Sequence, residues 1–279
     1  MDLFVIVLAL AFVQIWGAKS PLHRDGWFVR WMAWISQKQT RSHPLITFIA
    51  SVLPPCLILV LVIVLLSYIT QWLVLPVFIC VLLYSLGRGE FTEIVREYTQ
   101  ACYVEDWPSA IERARPLGIP VDDLPKDDWP TLHRYVLEEA GYRGFERMFA
   151  VIFWFFLLGP VAAFCYRLTF LFCEKNPDNT RSSKFLWAIE WPAVRLLGIS
   201  FALTGNFVGC FQRWKESLWC EQRTSRNVLS ELVFGALTVS DNLNQTCEIT
   251  RKELSLISKL YTRTLWFWLG MVSIILLLV

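Results

Sequence analysis

From Leu45 to Leu86 the chain runs for 42 residues without one Asp, Glu, Lys, Arg or His. A single helix needs about 20 predominantly apolar residues to cross a bilayer. This run is therefore long enough for two crossings. Ser67, Tyr68, Thr70 and Gln71 form a polar dip in its middle. The pattern predicts a hairpin of two membrane helices, near 45–66 and 72–86. A water-soluble fold would have to bury such a run on every side. The chain as a whole is 55% hydrophobic and 18% charged, against roughly 45–50% and about 25% in soluble domains.

Three further blocks continue the theme. Residues 3–16 are apolar apart from Gln14. Asp2 stands where a secretory signal would carry positive charge, so the block reads as a retained span. Residues 145–173, "FERMFAVIFWFFLLGPVAAFCYRLTFLFC", form another span that Pro160 should kink. Arg167 lies within it, where an arginine needs a partner or must snorkel. Residues 265–279 close the chain with a short span behind Lys259 and Arg263. The expected fold is all-α: a multi-pass helical membrane protein of about four to five spans, with amphipathic and extramembrane helices.

The chain divides into four regions. Residues 1–86 hold the N-terminal span, a linker and the hairpin. In the linker, 17–44, five basic residues (Lys19, Arg24, Arg30, Lys38 and Arg41) face one acid, Asp25. Within it "GWFVRWMAWI" (26–35) reads either as an amphipathic helix at the bilayer surface or, equally, as an ordinary juxtamembrane linker. Residues 87–144 form an acidic extramembrane helical segment, with twelve acidic and seven basic residues. Asp106 and Asp128, each followed two residues later by proline, read as helix N-caps. Residues 145–209 comprise the kinked span and a membrane-packed helix. Residues 210–279 comprise an amphipathic segment, striped by Val228, Leu229, Leu232, Val233 and Leu237, and the last span. Positive-inside counting places 17–44 and 87–144 in the cytoplasm. It leaves the side of 174–262 open, and also whether 188–209 crosses.

The residues offer little ordinary catalytic chemistry. Net charge is +2, and no basic patch interleaved with polar residues suits nucleic acid. Eight cysteines form no C-x-x-C and have no histidine at ligand spacing, so neither a zinc site nor a disulfide framework is expected. No phosphate-loop motif occurs; "GRGEF" (87–91) is a lone glycine pair. His133, on "HRYVLEEAGYR", reads as a surface or interfacial residue rather than a base. Adjacent Glu138 and Glu139 point about 100° apart on a helix, so they cannot form a facing acid–base pair. No catalytic residue, metal or cofactor is assigned.

One acid–base constellation stands out. In "AIEWPAVRLLGISFALTGNF" (188–207), Pro192 suits a first helical turn. Glu190 is then expected just ahead of a helix that begins near Trp191, with Arg195 one turn inside. Glu139, Arg143 and Arg147 fall at i, i+4 and i+8 on one helix face leading into a span.

"EWPAVRLLGISFALTGNF" resembles the AmpE family of bacterial inner-membrane proteins, whose signature reads D/E-W-x-P-x-R-L-L-G-x-x-F-A-L-x-G. The resemblance extends over the chain: apolar start, long hairpin, acidic helical middle, "FWFFLLGP…YR" and C-terminal anchor. It implies a sensory or signalling modulator tied to β-lactamase induction and peptidoglycan recycling. AmpE in turn is similar to the CobD/CbiB membrane enzymes, which form an amide with ATP. On that relation Glu139, "FWFFLLG", Tyr166-Arg167 and "WPAVRLLG" match. Gly144 stands where those enzymes carry Asn, Arg147 and Cys173 where they carry Asp, and Phe170 where they carry Asn. These departures favour a non-catalytic modulator over a repurposed amide-forming enzyme.

The same relation implies that Arg167 and Arg195 lie near the Glu139 face. The expected ligand-binding set is then Glu139, Arg143, Arg147, Arg167, Glu190 and Arg195. Cations of that number suit an anionic ligand with a phosphate or carboxylate group, cell-wall-derived or other. A structural salt-bridge ladder is the competing account. The lipid bilayer and other regulatory proteins are the remaining expected partners.

Overall fold

The computed structural model describes residues 2–16, 25–38, 44–86, 90–119, 124–177, 179–218, 223–237 and 246–278. Lys19, His23, Arg24, Arg41, His43, the glycines of "GRGEF", Pro120 and Cys220 lie outside them. The described residues are helical, with no strand among them. They divide into two compact units, one of 1–88 with 147–193 and one of 89–146 with 194–279.

The first unit begins with α1 (Asp2–Trp16) and α2 (Gly26–Lys38). The expected amphipathic helix is thus present, and it buries Phe28, Met32 and Ile35 on one face. Next come α3 (Pro44–Ile69), a 3₁₀ turn (Gln71–Leu73) and α4 (Val74–Ser85). This is the helix–turn–helix that the uncharged run predicts, broken at its polar dip. α3 is long and apolar enough to cross a membrane, yet only 17% of its apolar window is buried. Leu53, Leu57, Ile58, Leu61 and Leu65 are all exposed. Pro54 and Pro55 sit inside α3. A proline nitrogen cannot bond the carbonyl four residues back. For Pro55 that carbonyl belongs to Ser51, and the Trp31 indole donates to it at 3.1 Å.

The second unit starts with α5 (Glu90–Tyr103), α6 (Trp107–Ala114) and α7 (Trp129–Gly144). Asp106 and Asp128 do cap α6 and α7: each side chain accepts from a backbone N–H three residues on, Ser109 and Thr131. A core of Tyr98, Trp107, Leu117, Leu132 and Val136 closes around them. After α7 comes a π-helical turn, Phe145–Phe149, and the chain then returns to the first unit.

There α8 (Ala150–Leu158) and α9 (Pro160–Lys175) pack together. The expected kink at Pro160 is a full break. Gly159 takes φ +82°, and Pro160 opens α9 as its first residue, where a missing N–H costs nothing. α9 packs on α3 and α4. α10 (Thr180–Thr204) is the second helix long and apolar enough to cross a membrane, and 56% of its window is buried. It runs unbroken through Pro192. The expected helix start near Trp191 is therefore wrong, and Glu190 is a mid-helix residue. Proline costs roughly 3 kcal/mol inside a helix. Burial of Ala193, Val194, Leu197 and Phe201 within the next turns offsets that cost. The second unit finishes with α11 (Phe207–Ser217), α12 (Ser225–Leu237) and α13 (Cys247–Leu278). α12 packs against α7 and α11, and α13 against α7 and α5.

Candidate functional site

Glu139 is the centre of the second unit's charged cluster. It sits on the buried face of α7 with only 5% of its side chain exposed. Arg143, one turn on, donates Nε to Oε1 at 2.8 Å. Arg226, from the start of α12, approaches Oε2 at 2.7 Å. Each carboxylate oxygen therefore faces its own guanidinium, and the two cations come from different helices. Arg143 also stands 4.0 Å from Glu146. The Arg226 guanidinium lies 4.6 Å over the Tyr142 ring, a cation–π contact that holds its plane. Tyr261 of α13 donates its hydroxyl to the Gly141 carbonyl at 2.5 Å. α7 is thus gripped by both α12 and α13 beside the cluster.

These four groups, two acids and two arginines, balance one another in formal charge. Access is uneven: Arg143 leaves 17% of its side chain exposed and Arg226 leaves 47%. Arg226 is thus the more accessible of the two guanidiniums.

The first unit has its own pair. Arg167 Nη2 lies 3.5 Å from Asp25 Oδ2, with 6% and 7% of the side chains exposed. The Arg167 guanidinium also stands 5.6 Å from the Phe170 ring. The buried arginine of α9 thus has its counter-ion, supplied by Asp25 just ahead of α2; α8 and α9, broken at Gly159, are not among the helices long and apolar enough to cross a membrane. Nearby in sequence, the Tyr166 hydroxyl donates to Glu190 at 3.2 Å, both residues being buried.

Of the six expected site residues, Glu139 and Arg143 are bonded to each other. Arg147 comes after them on the π-helical turn rather than on a continuous α-helix. A π turn takes an extra residue into the helix and rotates the turns beyond it. It is Glu146, at i+3, that reaches Arg143. Arg167 and Glu190 belong to the first unit with Asp25 and Tyr166 as partners. Arg195 donates to the Ser217 carbonyl, while its own carbonyl accepts from the Trp214 indole at 2.9 Å. Arg195 therefore ties α10 to α11. The neighbouring signature glycine makes room for the same contact: a Cβ at Gly198 would lie 2.7 Å from Trp214.

Sequence reasoning missed Arg226, Glu146, Tyr142 and Asp25. Arg226 could have been found, since it precedes Leu229 by three positions and so borders the apolar stripe of α12. Asp25 could have been found as the lone acid in a basic linker beside a span that needs one. His133 is a correction. It is buried, not on the surface, and shares a 2.8 Å hydrogen bond through Nδ1 with the Tyr98 hydroxyl. Burial pushes its pKa down to about 4, so the ring is neutral near pH 7. Glu138 points outward to Arg134 at 3.2 Å, well away from buried Glu139. Among the described residues no group of three or more His, Cys, Asp and Glu is placed to hold a metal ion.

Comparison with known proteins agrees with the AmpE resemblance. The family model described as "Regulatory signalling modulator protein AmpE" matches residues 1–278. A curated relative, "Cobalamin biosynthesis protein CobD" of Stutzerimonas stutzeri (strain A1501), is 29% identical over 150 residues. That match covers 50% of this chain and 49% of the relative, so the chain spans about half the relative's length. No solved structure matches. With the family model matching from the first residue to the penultimate one, the chain belongs to the AmpE family.

Proposed function

We propose that this chain is a multi-pass regulator of the bacterial inner membrane that senses an anionic, cell-wall-derived ligand through the Glu139–Arg143–Arg226 cluster. The observation that carries the reading is the asymmetry of that cluster. A buried carboxylate holds one shielded and one half-exposed arginine, and the exposed one sits on a different helix. A ligand carboxylate or phosphate that takes Arg226 weakens the tie between α7 and α12. That makes ligand capture and a change in helix packing one event, which is what a modulator needs. Family membership supports a regulatory role, and through it a link to β-lactamase induction and peptidoglycan recycling. The membrane setting is supported by α3, whose apolar surface is mostly unburied, and by the apolar end of α13.

The test is equilibrium binding of a muropeptide bearing free carboxylates to the detergent-solubilised full-length protein. Arg226→Ala should weaken binding by about ten-fold, since a charge-assisted hydrogen bond contributes roughly 1.5–3 kcal/mol. Unchanged affinity would sink the assignment. The membrane setting has its own test in Leu57→Lys, an exposed mid-helix site on α3. On a water-facing surface the change is nearly neutral. In hydrocarbon it costs about 2.5–3.5 kcal/mol and should deplete the protein from the membrane fraction.

The similarity to a protein named for cobalamin biosynthesis favours one second reading, a repurposed ATP-dependent amide-forming enzyme. Mg-ATP binding to the purified protein that is lost in Glu139→Gln would favour it over the sensor.

A further inference from the structure

The first unit has a groove of about 760 Å³ between α2, α3 and α9, and among the described residues Arg30 is the one charged side chain that lines it. One end is aliphatic, the α3 wall of Pro55, Ile58, Leu59 and Val62. From Pro55 to Val62 the α3 wall rises about 10 Å. The other end is aromatic. Trp31 and Trp34 stack with centroids 5.3 Å apart, and Trp27 stacks on Phe164 at 6.4 Å. Tryptophan of this kind favours the boundary between headgroups and hydrocarbon.

Charge is distributed to match. α2 carries Arg30 and Lys38 and no acid. Arg30 is exposed, and its Nε donates to the Gly26 carbonyl at 3.1 Å. That bond steadies the guanidinium and leaves both terminal amino groups beyond it. Lys38 lies 4.2 Å over the Trp34 ring. Asp25, the acid next to α2 in sequence, is bound to Arg167. The groove therefore has a cation at the end with the tryptophans and hydrocarbon walls at the other.

Resting on the membrane reading above, we propose that this groove binds one anionic phospholipid, with its phosphate on Arg30 and an acyl chain along Pro55–Val62. A peptide or a second protein would leave polar backbone facing those aliphatic walls. An uncharged lipid would leave Arg30 without its anion. The Trp31–Ser51 hydrogen bond keeps the site built. It fixes α2 to α3 at the proline pair, so the cationic end keeps its position over the aliphatic wall.

The test uses full-length protein reconstituted in nanodiscs of phosphatidylglycerol or phosphatidylcholine with identical acyl chains, with native mass spectrometry of the retained lipid as the readout. Wild type should retain one phosphatidylglycerol about five-fold more often than phosphatidylcholine, the preference expected of one interfacial arginine. Arg30→Ala should bring the two lipids to parity. Leu59→Trp keeps every charge and fills the groove, so it should expel both lipids; it carries the test if Arg30→Ala does not fold. Equal retention of the two lipids by wild type overturns the proposal. So does a Leu59→Trp variant that retains lipid like wild type. A protein that stays in the membrane fraction while showing no lipid preference defeats this site alone. A protein recovered without detergent as a soluble monomer defeats the membrane reading beneath it.

Discussion

Asp25 and Arg167 in the first unit expose 7% and 6% of their side chains, whereas Arg226 on Glu139 in the second exposes 47%. Both clusters neutralise a buried charge, but only one leaves a partner within reach of a ligand. A sealed pair has its geometry fixed by what surrounds it, and its removal registers as lost stability. In a half-open pair the outer guanidinium is accessible enough to trade the buried carboxylate for another anion. The contrast separates a sealed ion pair from an accessible one more sharply than the number of arginines does.

The largest effect expected is at the sealed pair. Asp25→Asn leaves Arg167 buried beside a neutral partner and should cost about 3–5 kcal/mol, read as a lowered Tm of the solubilised protein. A loss under about 1 kcal/mol, the range of exposed pairs, would mean that Arg167 reaches water, and the contrast would collapse. Glu139→Gln comes next, at about 3 kcal/mol. It strands Arg143 more than Arg226, so a second change of Arg143 to Met should recover part of the loss.

His133 sharpens the comparison from another side, because it is buried without charge. Its pKa is depressed to about 4, so between about pH 6.5 and about pH 4 the unfolded chain binds a proton that the folded one refuses. Stability should fall with falling pH across that window, by at most about 1.4 kcal/mol per pH unit. His133→Gln should remove that component, which the difference between the two melting curves measures. Arg226→Ala should be the mildest, roughly 1 kcal/mol, with a ligand effect out of proportion to it. Should it destabilise as much as Asp25→Asn, the two clusters are of one kind.

What the sequence made legible is what neighbouring residues decide. The amphipathic helix over 26–38, the hairpin broken near Thr70 and the aspartate caps of α6 and α7 all depend on residues within a few positions of one another. The continuous α10 was misread because Pro192 is a local signal overridden by burial further along the helix. The Glu139–Arg143 link was visible as an i,i+4 spacing. Its third member was not, since Arg226 comes from a helix far along the chain and no local pattern names its partner. The π turn was equally hidden.

Gly144 has a consequence for how α13 docks. A Cβ there would stand 3.0 Å from two ring atoms of Tyr261, the residue whose hydroxyl reaches Gly141. Any side chain at this place and the tyrosine of α13 would compete for the same volume. The bare backbone is what lets α13 lie directly on the end of α7.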